Sequence, residues 1–242
     1  MTDKTKAPLF VYLLLDRSGS MEADRDRTID AVNEYVNGLK LSDEVDATFS
    51  LTTFDSQSID AIIKAKPVAQ ALALTRETYV PRASTPLLDA IGHAVSDIDD
   101  AKLPKDRKVA FVILTDGLEN ASTEYKKETV RKLLEGRQKD KGWLITFLGA
   151  DIDAFAEGDG LGMAASHTLA TSKRSIAGAL KSTYALQERY AKAAAAMPSC
   201  TGKAGQATSS VMITWILRNL PVLVLRWSTR AYINLASIRL NI

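Results

Sequence analysis

The sequence predicts a doubly wound, Rossmann-like α/β fold: a mostly parallel central sheet with one antiparallel edge strand and helices on both faces. Three observations carry this. Two apolar runs, Leu9 to Leu15 and Val109 to Thr115, have strand length and no polar face, as strands buried on both sides do. Stretches with apolar residues at helical spacing separate such runs, and this alternation is the pattern of a sheet wrapped by helices. Finally, Asp16 and Asp116 each follow an apolar run directly, and open α/β sheets hold their ligands beyond the carboxyl ends of the strands.

Each element has its own warrant. The first strand is Leu9 to Leu15. Ile29, Val32, Val36 and Leu39 then recur at i, i+3, i+7 and i+10, which predicts a helix fraying around Leu41-Ser42-Asp43. Val45 to Phe54 alternates loosely as a strand, and Ser58 to Lys64 is expected to hairpin onto it through Asp55-Ser56-Gln57. Lys66 to Tyr79 carries no legible period. Thr85-Pro86 opens a second helix, with Pro86 in the first turn, where its missing N–H costs nothing, and Leu88, Ile91, Val95 and Ile98 on the buried face. Lys108 to Thr115 is a central strand, Ser122 to Gln138 a helix and Trp143 to Leu148 a third apolar strand. Asp151 to Gly158 is expected as a short helix, Ser166 to Ala170 as a last strand and Ser175 to Ala196 as a closing helix.

Composition narrows the function. The 242 residues, 46% apolar and 25% charged, suit one ample soluble domain, read as residues 7–196, plus an extension at 197–242. From Met197 onward there are five basic residues and no acidic one, which leaves 26 basic against 29 acidic in the body. A mildly acidic body offers no phosphate-binding stripe, so nucleic acid is not an expected partner. Cys200 is the only cysteine, which excludes an intrachain disulfide and an all-thiolate metal site. The N-terminal apolar run is too short for a signal peptide, and a cytoplasmic location is expected. In the tail, Val211 to Leu225 is apolar but interrupted by Arg218, Asn219 and Pro221, short of the about 20 residues a membrane span needs. It reads more readily as an interfacial or partner-docking segment than as a span. An unselected extension, as from a shifted reading frame, is a third reading.

The chemistry concentrates in Asp16-Arg17-Ser18-Gly19-Ser20. A carboxylate and two hydroxyls at alternate positions on a loop leaving a buried strand are hard oxygen donors, suited to Mg²⁺. Read alone, the same residues could be turn formers, and Ser20 could cap the following helix. Two later segments add to the pattern: Ser84-Thr85-Pro86-Leu87-Leu88-Asp89-Ala90-Ile91, a hydroxyl-bearing turn into a helix, and Thr115-Asp116-Gly117 after the second strand. The trio resembles the von Willebrand factor type A domain, whose metal-ion-dependent adhesion site takes D-x-S-x-S, a distant Thr and a distant Asp. Tyr79 to Ile91, Thr115 to Ser122 and Phe147-Leu148-Gly149-Ala150 look like a stand-alone bacterial and phage branch of that family.

The resemblance implies that Ser18, Ser20 and Thr85 bind Mg²⁺ or Mn²⁺ through hydroxyls. Asp16 and Asp116 would act through bound water or accept hydrogen bonds from those hydroxyls. Two carboxylates among neutral donors leave a dication under-neutralised, with a position that a protein partner's Asp or Glu can fill. A metal-dependent protein-binding module is therefore expected, and not an enzyme. The alternatives are a metal-dependent hydrolase or phosphotransferase, or a self-associating structural domain with an empty site. Enzyme motifs fit poorly: Ser18 stands where a haloacid-dehalogenase phosphotransferase needs its second Asp, and there is no G-x-S-x-G and no phosphate loop. Arg17 and Arg82 are expected beside the ion, either pairing with a partner's carboxylates or solvated. Glu22, Asp24 and Asp26 read as helix N-terminal acids, and Asp151, Asp153, Glu157 and Asp159 as the opening of a helix more than as a Ca²⁺ site. The isolated His93 and His167 read as structural or solvated.

Overall fold

The computed structural model describes residues 5–104, 106–150, 153–163, 167–171 and 175–195. The extension at 197–242, with Cys200 and the apolar Val211 to Leu225, lies outside them, as do Asp151, Ser166 and Ala196. In chain order the elements are β1 (Ala7–Asp16), α1 (Arg25–Leu41), β2 (Val45–Phe54), β3 (Ile59–Pro67), α2 (Leu87–Asp100), β4 (Lys108–Thr115), α3 (Lys127–Lys141), β5 (Leu144–Ala150), α4 (Ala154–Gly160), β6 (Thr168–Thr171) and α5 (Ile176–Ala195), with short 3₁₀ turns at Gly19–Asp24 and Val68–Gln70. One six-stranded sheet runs β3-β2-β1-β4-β5-β6, parallel throughout except for β3, which pairs antiparallel with β2 at the edge. This is the predicted architecture. Among the described residues, no helix is long and apolar enough to cross a membrane.

Strand β1 organises both layers because its neighbours are β2 on one side and β4 on the other. Successive side chains of a strand point to opposite faces. Leu9, Val11, Leu13 and Leu15 accordingly enter one core with Ile29, Val32 and Val36 of α1 and Ile176 and Leu180 of α5. Phe10, Tyr12 and Leu14 enter the other, with Leu87, Ile91 and Val95 of α2 and Val130 and Leu134 of α3. Burying one such side chain is worth about 1.5–3 kcal/mol, so the two cores together fix the strand's register.

The starts of α2 and α3 differ from expectation, and one set of contacts joins them. Helix α3 begins at Lys127, not Ser122. The intervening segment is held by side chains instead: Thr123, Glu124 and Tyr125 donate to the Asp89 carboxylate at 2.8, 3.0 and 2.7 Å, and Ala121 and Ser122 donate to Glu119 at 2.9 and 2.7 Å. In return the segment caps α2, where Leu88 N donates to Glu119 and Asp89 N to Ser122 Oγ, while Pro86 stands one residue outside the helix. The stretch left unread, Lys66 to Tyr79, is a strand end, a 3₁₀ turn and an irregular connection held by distant side chains. The Asn33 amide, for example, both donates to Leu74 O and accepts from Leu74 N.

Candidate metal centre

Sheet topology fixes the site. From β1 the chain moves outward to β2 and β3, then returns to the other side of β1 as β4, so the order of winding reverses between β1 and β4. Parallel α/β sheets open a crevice at that switch point. Pairing of Leu15 with Leu114 brings the ends of the two strands together, and Thr115 Oγ1 donates to Asp16 Oδ2 at 2.6 Å. On the loop beyond β1, Ser18 N donates to Asp16 Oδ1 at 2.7 Å, Ser18 Oγ and Ser20 Oγ lie 3.0 Å apart, and Ser20 Oγ donates to Asp116 Oδ1 at 2.6 Å. Thr85 completes the group. A Cβ built on Gly117 would stand 3.0 Å from Thr85 Oγ1 and 3.7 Å from Ser20 Oγ, so both hydroxyls face the space that glycine leaves. All five predicted residues, Asp16, Ser18, Ser20, Thr85 and Asp116, thus converge from three loops, and all but Ser20 are buried.

Burial pushes the Asp16 carboxyl up to about 6, against the hydrogen bonds from Thr115 and Ser18 that favour its charged form. Two carboxylates and three hydroxyls in this crevice fit a small hard cation, whose charge would keep Asp16 ionised. Thr85 Oγ1 makes no hydrogen bond to any described residue, which leaves its oxygen available as a ligand. Among the described residues no three His, Cys, Asp or Glu side chains group as a metal cluster. The candidate centre is one in which hydroxyls supply most of the donors.

Among neighbouring residues Arg17 departs from expectation, while Glu22, Asp24, Asp26, Asp153 and Glu157 stand at helix starts as expected. Arg17 is not directed at a partner: it is 6% exposed and committed to Asp55 and Asp60 at 2.7 and 2.8 Å. Arg82, which is part exposed, also pairs with Asp55. Ser20 caps no helix, since α1 starts only at Arg25. Glu22, Asp24 and Asp26 pair with Arg25, Arg27 and Arg76 respectively. His93 meets Glu124 at 2.9 Å, and Asp153 caps α4 by accepting from Ala156 N.

Sequence reading missed the supports of the site. Thr115 holds the Asp16 carboxylate, and Tyr79, fully buried, donates its hydroxyl to Asp16 O at 2.7 Å. The Asn120 side chain accepts from Thr85 N while Asn120 N donates to Thr85 O. Asp55, like Asp16 and Asp116, stands at the end of a strand, and its role shows only in the fold.

These features define a class, the von Willebrand A-like α/β fold, and solved structures share it. The von Willebrand factor domain of the type V pilus tip protein of Porphyromonas gingivalis aligns with a TM-score of 0.59 at 12% identity, over 76% of this chain and 96% of that one. The manganese-loaded TRAP protein of Plasmodium vivax aligns at 0.55 and 18% identity, over 74% of each chain. Proximal thread matrix protein 1 of the mussel byssus aligns at 0.55 and 14% identity over 75% of this chain, which spans about half (48%) of the mussel protein's length. No family model and no curated protein sequence matches the chain.

Proposed function

We propose that the chain is a protein-binding module in which Asp16, Ser18, Ser20, Thr85 and Asp116 hold Mg²⁺ or Mn²⁺, and the ion captures an Asp or Glu side chain of a protein partner. The observation that carries this reading is the convergence of five hard oxygen donors at the switch point of the sheet, with Gly117 leaving room between two of the hydroxyls. Mg²⁺ and Mn²⁺ accept such oxygen-only sites and retain exchangeable waters. The two carboxylates balance the dication only formally, and where they act through bound water or hydrogen-bonded hydroxyls they screen it incompletely, so a partner's carboxylate displacing one water gains a direct contact with the ion in a partly desolvated crevice. The manganese-loaded state of a TRAP protein with this fold supports the choice of ion. Recognition is preferred to bond breaking because the polar groups lining the crevice are hydroxyls and the carboxylates that accept from them, and the nearby guanidinium of Arg17 is committed elsewhere.

The test is a calorimetric titration of the full chain with Mn²⁺ and Mg²⁺. One site is expected, lost in Asp16→Ala. Uptake indifferent to Asp16, or no uptake even with free acetate added to supply a partner-like carboxylate, would overturn the reading.

A further inference from the structure

We propose that Asp55, gripping Arg17 and Arg82, is a positioning residue for the cation site that keeps the loop of Thr85 in register with Ser18 and Ser20. The inference rests on the metal-binding reading above. Asp55 is 1% exposed and lies just beyond β2, outside the five-oxygen group. One carboxylate oxygen, Oδ2, accepts from Arg17 Nε at 2.7 Å and from Arg82 Nε at 3.1 Å. The other, Oδ1, accepts from the backbone N–H groups of Gln57 and Ser58 at 2.7 and 3.1 Å, closing its own turn. Both arginines then reach Ser58 Oγ, and Arg17 continues to Asp60.

This network joins three segments, two of which carry the proposed ligands. Arg17 lies between Asp16 and Ser18, and Arg82 stands three residues before Thr85. Backbone hydrogen bonds run along the same seam: Arg82 N to Arg17 O at 2.9 Å, Gly19 N to Ala83 O at 3.0 Å and Ser56 N to Ser84 O at 3.0 Å. At its centre Ala83 has φ +58, a left-handed conformation that a residue with a Cβ adopts only when its surroundings hold it there. The loop therefore does not rest in this shape by itself. The two charged arms fasten both ends of the seam to one buried carboxylate, whose Oδ2 accepts charge-assisted hydrogen bonds from both guanidinium groups. Thr85 Oγ1 reaches the crevice only while that fastening holds.

Mn²⁺ titration of the full chain decides it, using Asp55→Asn, Arg82→Ala, their combination, and Gly142→Ala as a stability control. Gly142 ends α3 at φ +65 with open space around it, so its substitution strains the fold far from the network. Asp55→Asn and Arg82→Ala are each expected to weaken Mn²⁺ binding about tenfold or more, as loss of ligand-orienting partners does. Because both act through one contact, the double variant should bind more tightly than the product of the single effects implies. Gly142→Ala should lower the melting temperature with unchanged affinity, so a general loss of stability is told apart from a loss of register. Should Asp55→Asn fail to fold, Arg82→Ala decides alone, since its side chain is 41% exposed and its removal leaves no cavity in the core. Affinity within about twofold of the unsubstituted chain in the folded variants would overturn the proposal while leaving the cation site standing. If the unsubstituted chain takes up no Mn²⁺, the metal-binding reading fails first and this one with it.

Discussion

At the scale of single residues, the site is a set of small groups whose positions matter more than their identities suggest. Gly117 shows this best. Its missing side chain leaves the space between Thr85 Oγ1 and Ser20 Oγ, and a methyl group there would sit 3.0 Å from the first of them. Gly117→Ala should therefore weaken Mn²⁺ binding about tenfold or more by pushing Thr85 aside, while the two apolar cores stay untouched. Calorimetry beside a thermal melt checks both halves, and an undiminished affinity would mean that Thr85 is not a ligand. The five residues of the candidate site were legible in the sequence because D-x-S-x-S, Thr85 and Asp116 each sit at a loop following or preceding a recognisable element. Their supports were not. Tyr79, Asn120 and Asp55 act through hydrogen bonds to residues 63, 35 and 38 positions away, to Asp16, Thr85 and Arg17 respectively, and no local pattern encodes such pairs. Arg17 was misread for the same reason: beside a candidate metal loop it looks free to meet a partner, and only the fold brings Asp55 and Asp60 to it.

At the scale of elements, legibility followed burial. Strands β1, β4 and β5 were visible as apolar runs because both faces are covered, and α1 and α2 because one face is. The beginning of α3 was not, since the segment before it is held in place by the distant Asp89 side chain and by Glu119, contacts that no local pattern shows. Those hydrogen bonds make Asp89 the anchor of the segment after Asp116. It is 7% exposed and holds three backbone donors. Asp89→Ala should cost about 2–3 kcal/mol, the order expected for losing hydrogen bonds to a charged acceptor. The loss should be local in its first effect: amide exchange at Thr123, Glu124 and Tyr125 should speed up before that of β4. Uniform acceleration through the sheet would mean that the segment and the sheet open as one unit.

At the scale of the whole molecule, the candidate centre lies where three separate parts of the chain meet: the loop after β1, the approach to α2 and the loop after β4. An unfolded chain does not hold those parts together, so a cation bound there binds the fold and not the coil. Binding energy then becomes folding energy, by about 2.7 kcal/mol when the free ion stands at a hundred times its Kd. For a domain of 150–250 residues, each kcal/mol moves the melting temperature by about 2–4 °C. Mn²⁺ or Mg²⁺ at that excess should raise it by about 5–10 °C over a chelator-treated sample, with the rise growing with the logarithm of ion concentration. Asp16→Ala should lose the rise altogether. Ca²⁺ should give a smaller one, because that larger ion asks for six to eight oxygens and favours carboxylates, whereas three of the five side chains here are neutral hydroxyls. A shift equal for all three ions and unaltered by Asp16→Ala would point to general screening of the charged surface, and the cation would then have no specific seat at the switch point.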